Sequence, residues 1–63
     1  MIHFITYNPQ SATLRIRFDG GELYDYHLVP PEAGRAAEVA LAGGDHDYFT
    51  SSIKGIYPYT RVR

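Results

Sequence analysis

The stretch that decides the fold is Thr13–Val29, TLRIRFDGGELYDYHLV, in which two alternating segments flank a pair of glycines. Every second residue of each segment is apolar, in the order Leu14, Ile16, Phe18 and then Tyr24, Tyr26, Leu28. A period of two places such residues on one face of a β-strand. Gly20 and Gly21 supply the positive φ angles of a tight turn. The stretch therefore predicts a β-hairpin.

The number of loop residues determines which faces of the two strands coincide, because a shift of one residue reverses every side chain. If Gly20 and Gly21 alone form the loop, Tyr24 and Tyr26 share a face with the arginines of the first strand. The tyrosines would then form an exposed aromatic platform flanked by positive charge.

A longer loop, Asp19–Gly21, instead gathers the strong apolar side chains on one face. Leu14 then lies opposite Tyr26, and Arg15 lies opposite Asp25 as a pair of opposite charge. The last glycine of this loop suits the left-handed position of a type I turn followed by a G1 bulge. We therefore expect this register, in which both tyrosines face the core. The exposed platform is the alternative.

Length and composition predict one small domain, residues 1–63. A chain this short buries only about 60% of its unfolded surface, so its stability is marginal and a homodimer is as reasonable as a monomer. The absence of cysteine excludes disulfides and thiolate metal sites. A net charge of −1 excludes a global attraction to nucleic acid or to anionic lipid.

Neither an export signal nor a membrane helix is evident in the sequence. The N-terminus, MIHFITYN, is too short and too polar for a signal peptide. No run approaches the ~18 apolar residues of a membrane span. Together with the lack of cysteine, these features predict a cytoplasmic protein without a membrane partner.

The rest of the chain predicts one strand before the hairpin and two helices after it. Ile2–Tyr7 is rich in β-branched and aromatic residues, which favour a strand. Pro30-Pro31 ends the third strand and suits the first turn of a helix over Glu32–Ala42. A shorter helix is predicted at about Tyr48–Lys54. The fold class is therefore α+β: a three-stranded antiparallel β-meander, then one helix and a short second helical segment.

Three local features qualify this outline. Phe49 and Ile53 lie four residues apart and form the predicted buried stripe of the second helix. Gly34 costs the first helix up to about 1 kcal/mol relative to alanine, so we expect that helix to fray. The tail after Ile56 is predicted to be extended because Pro58 disfavours helix in the residue before it.

No motif for catalysis or metal binding stands out. Asp45-His46-Asp47 contains potential ligands but lacks a defined metal spacing such as H-E-x-x-H, so we interpret it as a helix cap in a solvated loop. No serine lies in a G-x-S-x-G elbow, and neither glycine pair has the lysine of a phosphate loop. We predict a non-enzymatic protein with no metal and no cofactor.

Positive and aromatic residues concentrate late in the chain and on the first hairpin strand. Proteins hold single-stranded nucleic acid with such cations and with stacking rings, at about 1–3 kcal/mol per stacked base. The candidate nucleic-acid contacts are Arg15, Arg17, Lys54, Tyr57, Tyr59, Arg61 and Arg63. The net charge favours the simpler interpretation, in which tyrosines pack and arginines are solvated.

The order of features along almost the whole chain resembles the KTSC domain family, named for the C-terminus of some lysyl-tRNA synthetases. The central Tyr24-x-Tyr26, the late Tyr48-Phe49 and the following Ile53-Lys54 carry the resemblance most specifically. The other matching positions are Ile5, Tyr7, Leu14, Ile16, Phe18, Val29-Pro30 and Tyr57. Thr50 departs from the family pattern, which usually has asparagine there.

The resemblance implies a small single-domain protein, of the kind found alone in bacteria and phages or appended to a synthetase. Its motif residues Tyr24, Tyr26, Phe49 and Ile53 are expected in the core. The synthetase context implies RNA binding by association only. Two functions stay open: an RNA-binding module, or a protein-interaction adaptor that docks through its sheet or C-terminal tail. The salt dependence of binding discriminates between these two functions, because contacts to phosphates release counterions and make the affinity fall steeply with salt.

Overall fold

The computed structural model describes residues 2–62 as a four-stranded antiparallel sheet, with two helices between its last two strands. The elements are β1 (Ile2–Asn8), β2 (Thr13–Phe18), β3 (Leu23–Tyr26), α1 (Pro31–Ala42), α2 (Asp47–Ser52) and β4 (Tyr59–Val62). The strands lie side by side in chain order. The α+β class is confirmed. The prediction of three strands is wrong, because the tail pairs with β3 as a fourth strand.

The β2–β3 hairpin adopts the register of the longer loop. Leu14 pairs with Tyr26, and the backbone N–H of Phe18 donates to the carbonyl of Glu22 at 2.9 Å, which closes the loop. Gly21 has a φ of 93°, the left-handed conformation that this turn requires. The prediction that the apolar side chains of both strands share one face is confirmed as far as Tyr26. It is wrong for Leu28, which lies beyond the end of β3 with a φ of 61° and is 74% exposed.

The core lies between this face of the sheet and the two helices. Its buried members are Ile2, Leu14, Ile16, Tyr26, Val29, Ala37, Phe49 and Ile53. Phe49 and Ile53 are buried as the predicted stripe of α2, although that helix ends at Ser52 rather than Lys54. Tyr26 is 4% exposed, whereas Tyr24 is only partly buried against the cluster.

The first helix lies close to β1 because Gly34 has no side chain. A Cβ at this position would lie 2.3 Å from the ring of Tyr7. The Tyr7 hydroxyl donates to the carbonyl of Val29 at 2.6 Å, and the Tyr7 backbone N–H donates to the Glu38 carboxylate at 3.2 Å. The helix runs unbroken through Gly34, since these contacts offset the low helix propensity of glycine.

No helix within residues 2–62 combines the length and the apolar character needed to cross a membrane. The longest, α1, has 12 residues and packs on β1. That packing leaves the second face of the sheet without a helix among the described residues. The sheet therefore presents two chemically different surfaces.

Candidate functional site

The fourth strand creates a feature that the three-strand prediction lacks. Tyr59 on β4 pairs with Tyr26 on β3, so the two side chains lie on the same face of the sheet, toward the helices. The Tyr59 ring stacks on Tyr24, with centroids 5.4 Å apart and planes 24° apart. Because Tyr59 is 59% exposed, this stack reaches the protein surface.

Five aromatic rings form a closed circle of contacts around this stack, in the order Tyr59, Tyr24, Phe18, Phe49 and Tyr26. Phe18 meets Tyr24 edge-to-face with centroids 5.5 Å apart and meets Phe49 at 5.7 Å. Tyr26 closes the circle, at 5.5 Å from Phe49 and 5.5 Å from Tyr59. Offset and edge-to-face pairs stabilise by about 0.5–1.5 kcal/mol beyond their buried area. These contacts join the five rings into one continuous aromatic surface.

These rings border an open groove of about 540 Å³, whose other lining residues are Gly20, Glu22, Lys54 and Gly55. We call this surface the aromatic groove. Burial raises the pKa of the Tyr26 hydroxyl above its ordinary value, and Tyr59 and Tyr24 raise it further. The Tyr26 hydroxyl therefore stays uncharged near neutral pH.

Charged side chains also line the aromatic groove. Lys54 follows the end of α2 and is exposed, and Glu22 follows the hairpin loop. Arg61 on β4 borders an adjoining recess, which it shares with Glu22. We call these three residues the rim of the groove: two cations, Lys54 and Arg61, and the carboxylate of Glu22.

The opposite face of the sheet carries two more of the predicted cations, Arg15 and Arg17. Arg15 binds Asp25 through two hydrogen bonds, Nε to Oδ1 at 2.7 Å and Nη2 to Oδ2 at 2.9 Å. The hydrogen bond from Arg15 holds the pKa of the Asp25 carboxyl below its usual value. The guanidinium of Arg17 lies 6.0 Å from the centre of the Phe4 ring. The predicted Arg15–Asp25 pair is confirmed, and it neutralises one of the two cations.

The structure therefore divides the predicted nucleic-acid contacts among separate locations. Lys54 and Tyr59 line the aromatic groove, and Arg61 lies next to it. Tyr57 packs half-buried against the core, and Arg63 lies outside the described residues. Because Arg15 and Arg17 lie on the other face, they do not contribute to the same surface.

Several groove residues escaped the sequence analysis. Phe18, Tyr24, Tyr26 and Phe49 were expected in the core, with an exposed platform of the two tyrosines only in the alternative register, yet all four also line the aromatic groove. Glu22 belongs to none of the motifs considered in the sequence analysis. The one available signal was the alternation of the tail, in which Tyr59 and its second neighbours form a strand-like pattern.

The Asp45–Asp47 loop lies apart from this groove. His46 is the N-cap residue of α2 and makes no side-chain cap, and Asp47 is the first residue of the helix, so neither aspartate is the N-cap. Asp45, one residue before His46, accepts a hydrogen bond from the backbone N–H of Tyr48 through Oδ1 at 3.3 Å. Within residues 2–62, no group of three or more histidine, cysteine, aspartate or glutamate side chains is placed to hold a metal ion. That this loop binds no metal stays a prediction.

The fold and its surface define a small single-domain α+β protein with an aromatic groove on the helix-bearing face of its sheet. A family model described as the KTSC domain matches residues 1–57, and the chain belongs to this family. The resemblance inferred from the tyrosine and Tyr-Phe motifs is thereby confirmed.

Two relatives extend this result. A crystal structure of a KTSC domain protein from Yersinia pestis superposes with a TM-score of 0.82 at 30% identity, covering 98% of this chain and 84% of that chain. The chain is also 32% identical over 62 residues to a lysine–tRNA ligase of Nostoc punctiforme. The match covers 98% of this chain but only 11% of the ligase. The chain thus corresponds to a small part of that enzyme.

Proposed function

We propose that this chain is a small, non-enzymatic, cytoplasmic RNA-binding module that holds an unpaired nucleotide in its aromatic groove. The observation that carries the proposal is the exposed Tyr59 ring, which stacks on Tyr24 in a groove that Lys54 also lines. Stacking aromatics next to cations are the means by which proteins bind single strands without base pairing.

The groove suits a nucleobase in size and in chemistry. Its volume of about 540 Å³ falls within the range of about 300–1,000 Å³ that is usual for ligand sites. Every base offers a π-face, and each stacked base contributes about 1–3 kcal/mol. Rings that already contact one another lose little conformational entropy when the base arrives.

The cations at the rim suit the phosphates of the same strand. Lys54 and Arg61 flank the groove, whereas the charge of Arg15 is already neutralised by Asp25. The net charge of −1 leaves attraction to RNA as a local property of this rim. The similarity to part of a lysine–tRNA ligase supports the proposal by association.

The test is a fluorescence anisotropy titration of labelled, mixed-sequence single-stranded RNA at about 50 mM and about 200 mM salt. We expect binding at low salt that weakens by about 0.7 log units per log unit of salt for each phosphate neutralised. Duplex RNA of the same sequence should bind more weakly, because its bases are already stacked.

Failure to bind RNA at low salt would refute the proposal and favour the second function class, a protein-interaction adaptor. Its docking element would be β4, which lies at the edge of the sheet within the described range 2–62. A strand at an edge leaves hydrogen-bonding groups available for strand addition. Such binding would show little of the salt dependence expected for phosphate contacts.

A further inference from the structure

The exposed Glu22 lines the aromatic groove and also borders the recess beside Arg61. Its carboxylate lies over the hairpin loop, where a Cβ at Gly20 would be 2.6 Å from Glu22 Oε1. Its backbone is held by the hydrogen bond from Phe18 N–H to the Glu22 carbonyl, at 2.9 Å. The missing side chain at residue 20 thus leaves room for the Glu22 carboxylate in the lining of the groove.

This carboxylate is free to accept hydrogen bonds from a ligand. Two ion pairs occur within residues 2–62, His3 with Asp19 and Arg15 with Asp25, and neither includes Glu22. An ionised carboxylate has two acceptor oxygens and no donor. A ligand that presents two adjacent donors would therefore match it in bidentate geometry.

Among the RNA bases, guanine presents this pattern on its Watson–Crick edge. Its N1–H and its exocyclic amino group are adjacent donors, and O6 beside them accepts a hydrogen bond. The Lys54 ammonium, a donor without acceptor capacity, lines the same groove as Glu22 and complements O6. The other three bases present one donor group on this edge, so each leaves a carboxylate oxygen unmatched.

We infer that Glu22 makes the aromatic groove selective for guanine among unpaired bases. This inference rests on the proposed RNA-binding function and adds the identity of the bound base. The aromatic rings supply affinity without regard to sequence, and the carboxylate supplies the discrimination.

The experiment compares oligouridine strands that carry one central guanosine, adenosine, cytidine or inosine, titrated against the whole chain by anisotropy. We expect the guanosine strand to bind about tenfold or more tightly than the adenosine strand, as for a good bidentate contact. The inosine strand should bind with intermediate affinity, because inosine keeps N1–H and lacks the amino group.

The variant Glu22→Gln should lose this preference while still binding the strands, since an amide offers only one acceptor atom. Glu32→Gln is the matched control, because Glu32 is an exposed carboxylate in the first turn of α1, away from the groove. It should keep the preference. Circular dichroism of both variants checks that the fold is retained.

Two outcomes would overturn the inference in distinguishable ways. Equal affinities for the guanosine and adenosine strands, or a preference that survives Glu22→Gln, would refute the role of Glu22 and leave RNA binding intact. Absence of binding to every strand would refute the proposed function itself, and the inference with it.

Discussion

Tyr59 lies diagonally across from Tyr24, and their rings stack at 5.4 Å although the residues belong to separate strands. The direct partner of Tyr24 on β4 is Arg61, and the direct partner of Tyr59 on β3 is Tyr26. The stack is therefore a diagonal contact between two cross-strand pairs on the same face of the sheet. This relationship joins the tail to the hairpin and completes the aromatic groove. The groove therefore exists only if β4 pairs in this register.

Replacing Tyr59 by alanine should weaken RNA binding by about 5- to 150-fold, the equivalent of one lost stacked base. The fold should persist because the side chain is 59% exposed. Tyr59→Phe should bind normally, since it keeps the ring. Ile56→Ala, at an equally exposed residue outside the groove, is the control for lost surface area. Anisotropy measures the affinity for RNA, and circular dichroism checks that each variant is folded. An unchanged affinity of Tyr59→Ala would contradict the aromatic groove as the binding site.

Lys54→Gln combined with Arg61→Gln should reduce the slope of log affinity against log salt by about 1.4, if each cation neutralises one phosphate. Arg17→Gln, on the opposite face of the sheet, should leave that slope unchanged. The measurement is a titration series over several salt concentrations. If Arg17→Gln had the larger effect, the contact surface would be the helix-free face instead.

Tyr26→Ala should destabilise the domain by about 3–5 kcal/mol, the usual cost of deleting a buried aromatic side chain. Tyr26 is 4% exposed and touches two other rings of the groove. Such a loss would unfold most of a domain of this size at room temperature. Tyr24→Ala should cost less, because Tyr24 is only partly buried. Urea unfolding would test this order, and a wild-type midpoint for Tyr26→Ala would show that the ring is not a core element.

Gly34→Ala should destabilise the protein by about 1–3 kcal/mol, although alanine is the better helix former. The new Cβ would lie 2.3 Å from the Tyr7 ring, so the ring or α1 must move. Gly43→Ala is the matched control at the end of the same helix, where the nearest atoms lie 3.6 Å away. It should change the unfolding midpoint little. A thermal melt in which Gly34→Ala is more stable than wild type would show that α1 does not lie against Tyr7.

Because Arg15 lowers the pKa of Asp25, we expect this pair to make part of the protein's stability depend on pH in the acid range. The pKa of Asp25 is lowered in the folded state, chiefly by the hydrogen bond from Arg15, from an ordinary value of 3.8. The pair therefore contributes stability above that ordinary value, and the contribution is lost as the pH falls through the lower, folded-state pKa.

Asp25→Asn or Arg15→Gln should remove this component, so that the free energy of unfolding falls less steeply with acid below about pH 4. Arg35→Gln, an exposed cation on α1, should keep the wild-type slope. Urea unfolding at a series of pH values gives the comparison. A wild-type slope for Asp25→Asn would mean that the pair has no net effect.

The sequence alone predicted the hairpin, favoured its register and indicated the α+β class, with one strand too few. Only one loop length united the apolar side chains of Leu14 and Tyr26 on one face, and burial selects that register because a slip would expose all of them. The same pattern placed Arg15 opposite Asp25. Local periodicity likewise located both helices, and the position of Phe49 predicted the buried side of the second.

Only the tertiary structure decided that the tail is a strand and that the tyrosines of β3 serve both the core and a groove. The residues of β4 are mostly exposed, so their alternation indicated an extended tail but not a buried face, and their partner strand lies more than thirty residues earlier in the chain. An edge strand forms when a neighbouring strand offers free hydrogen-bonding groups at the right place. Gly34 shows the same dependence, since its cost in the isolated helix is offset by contact with Tyr7. These outcomes rest on distant partners, which local propensity and spacing do not encode.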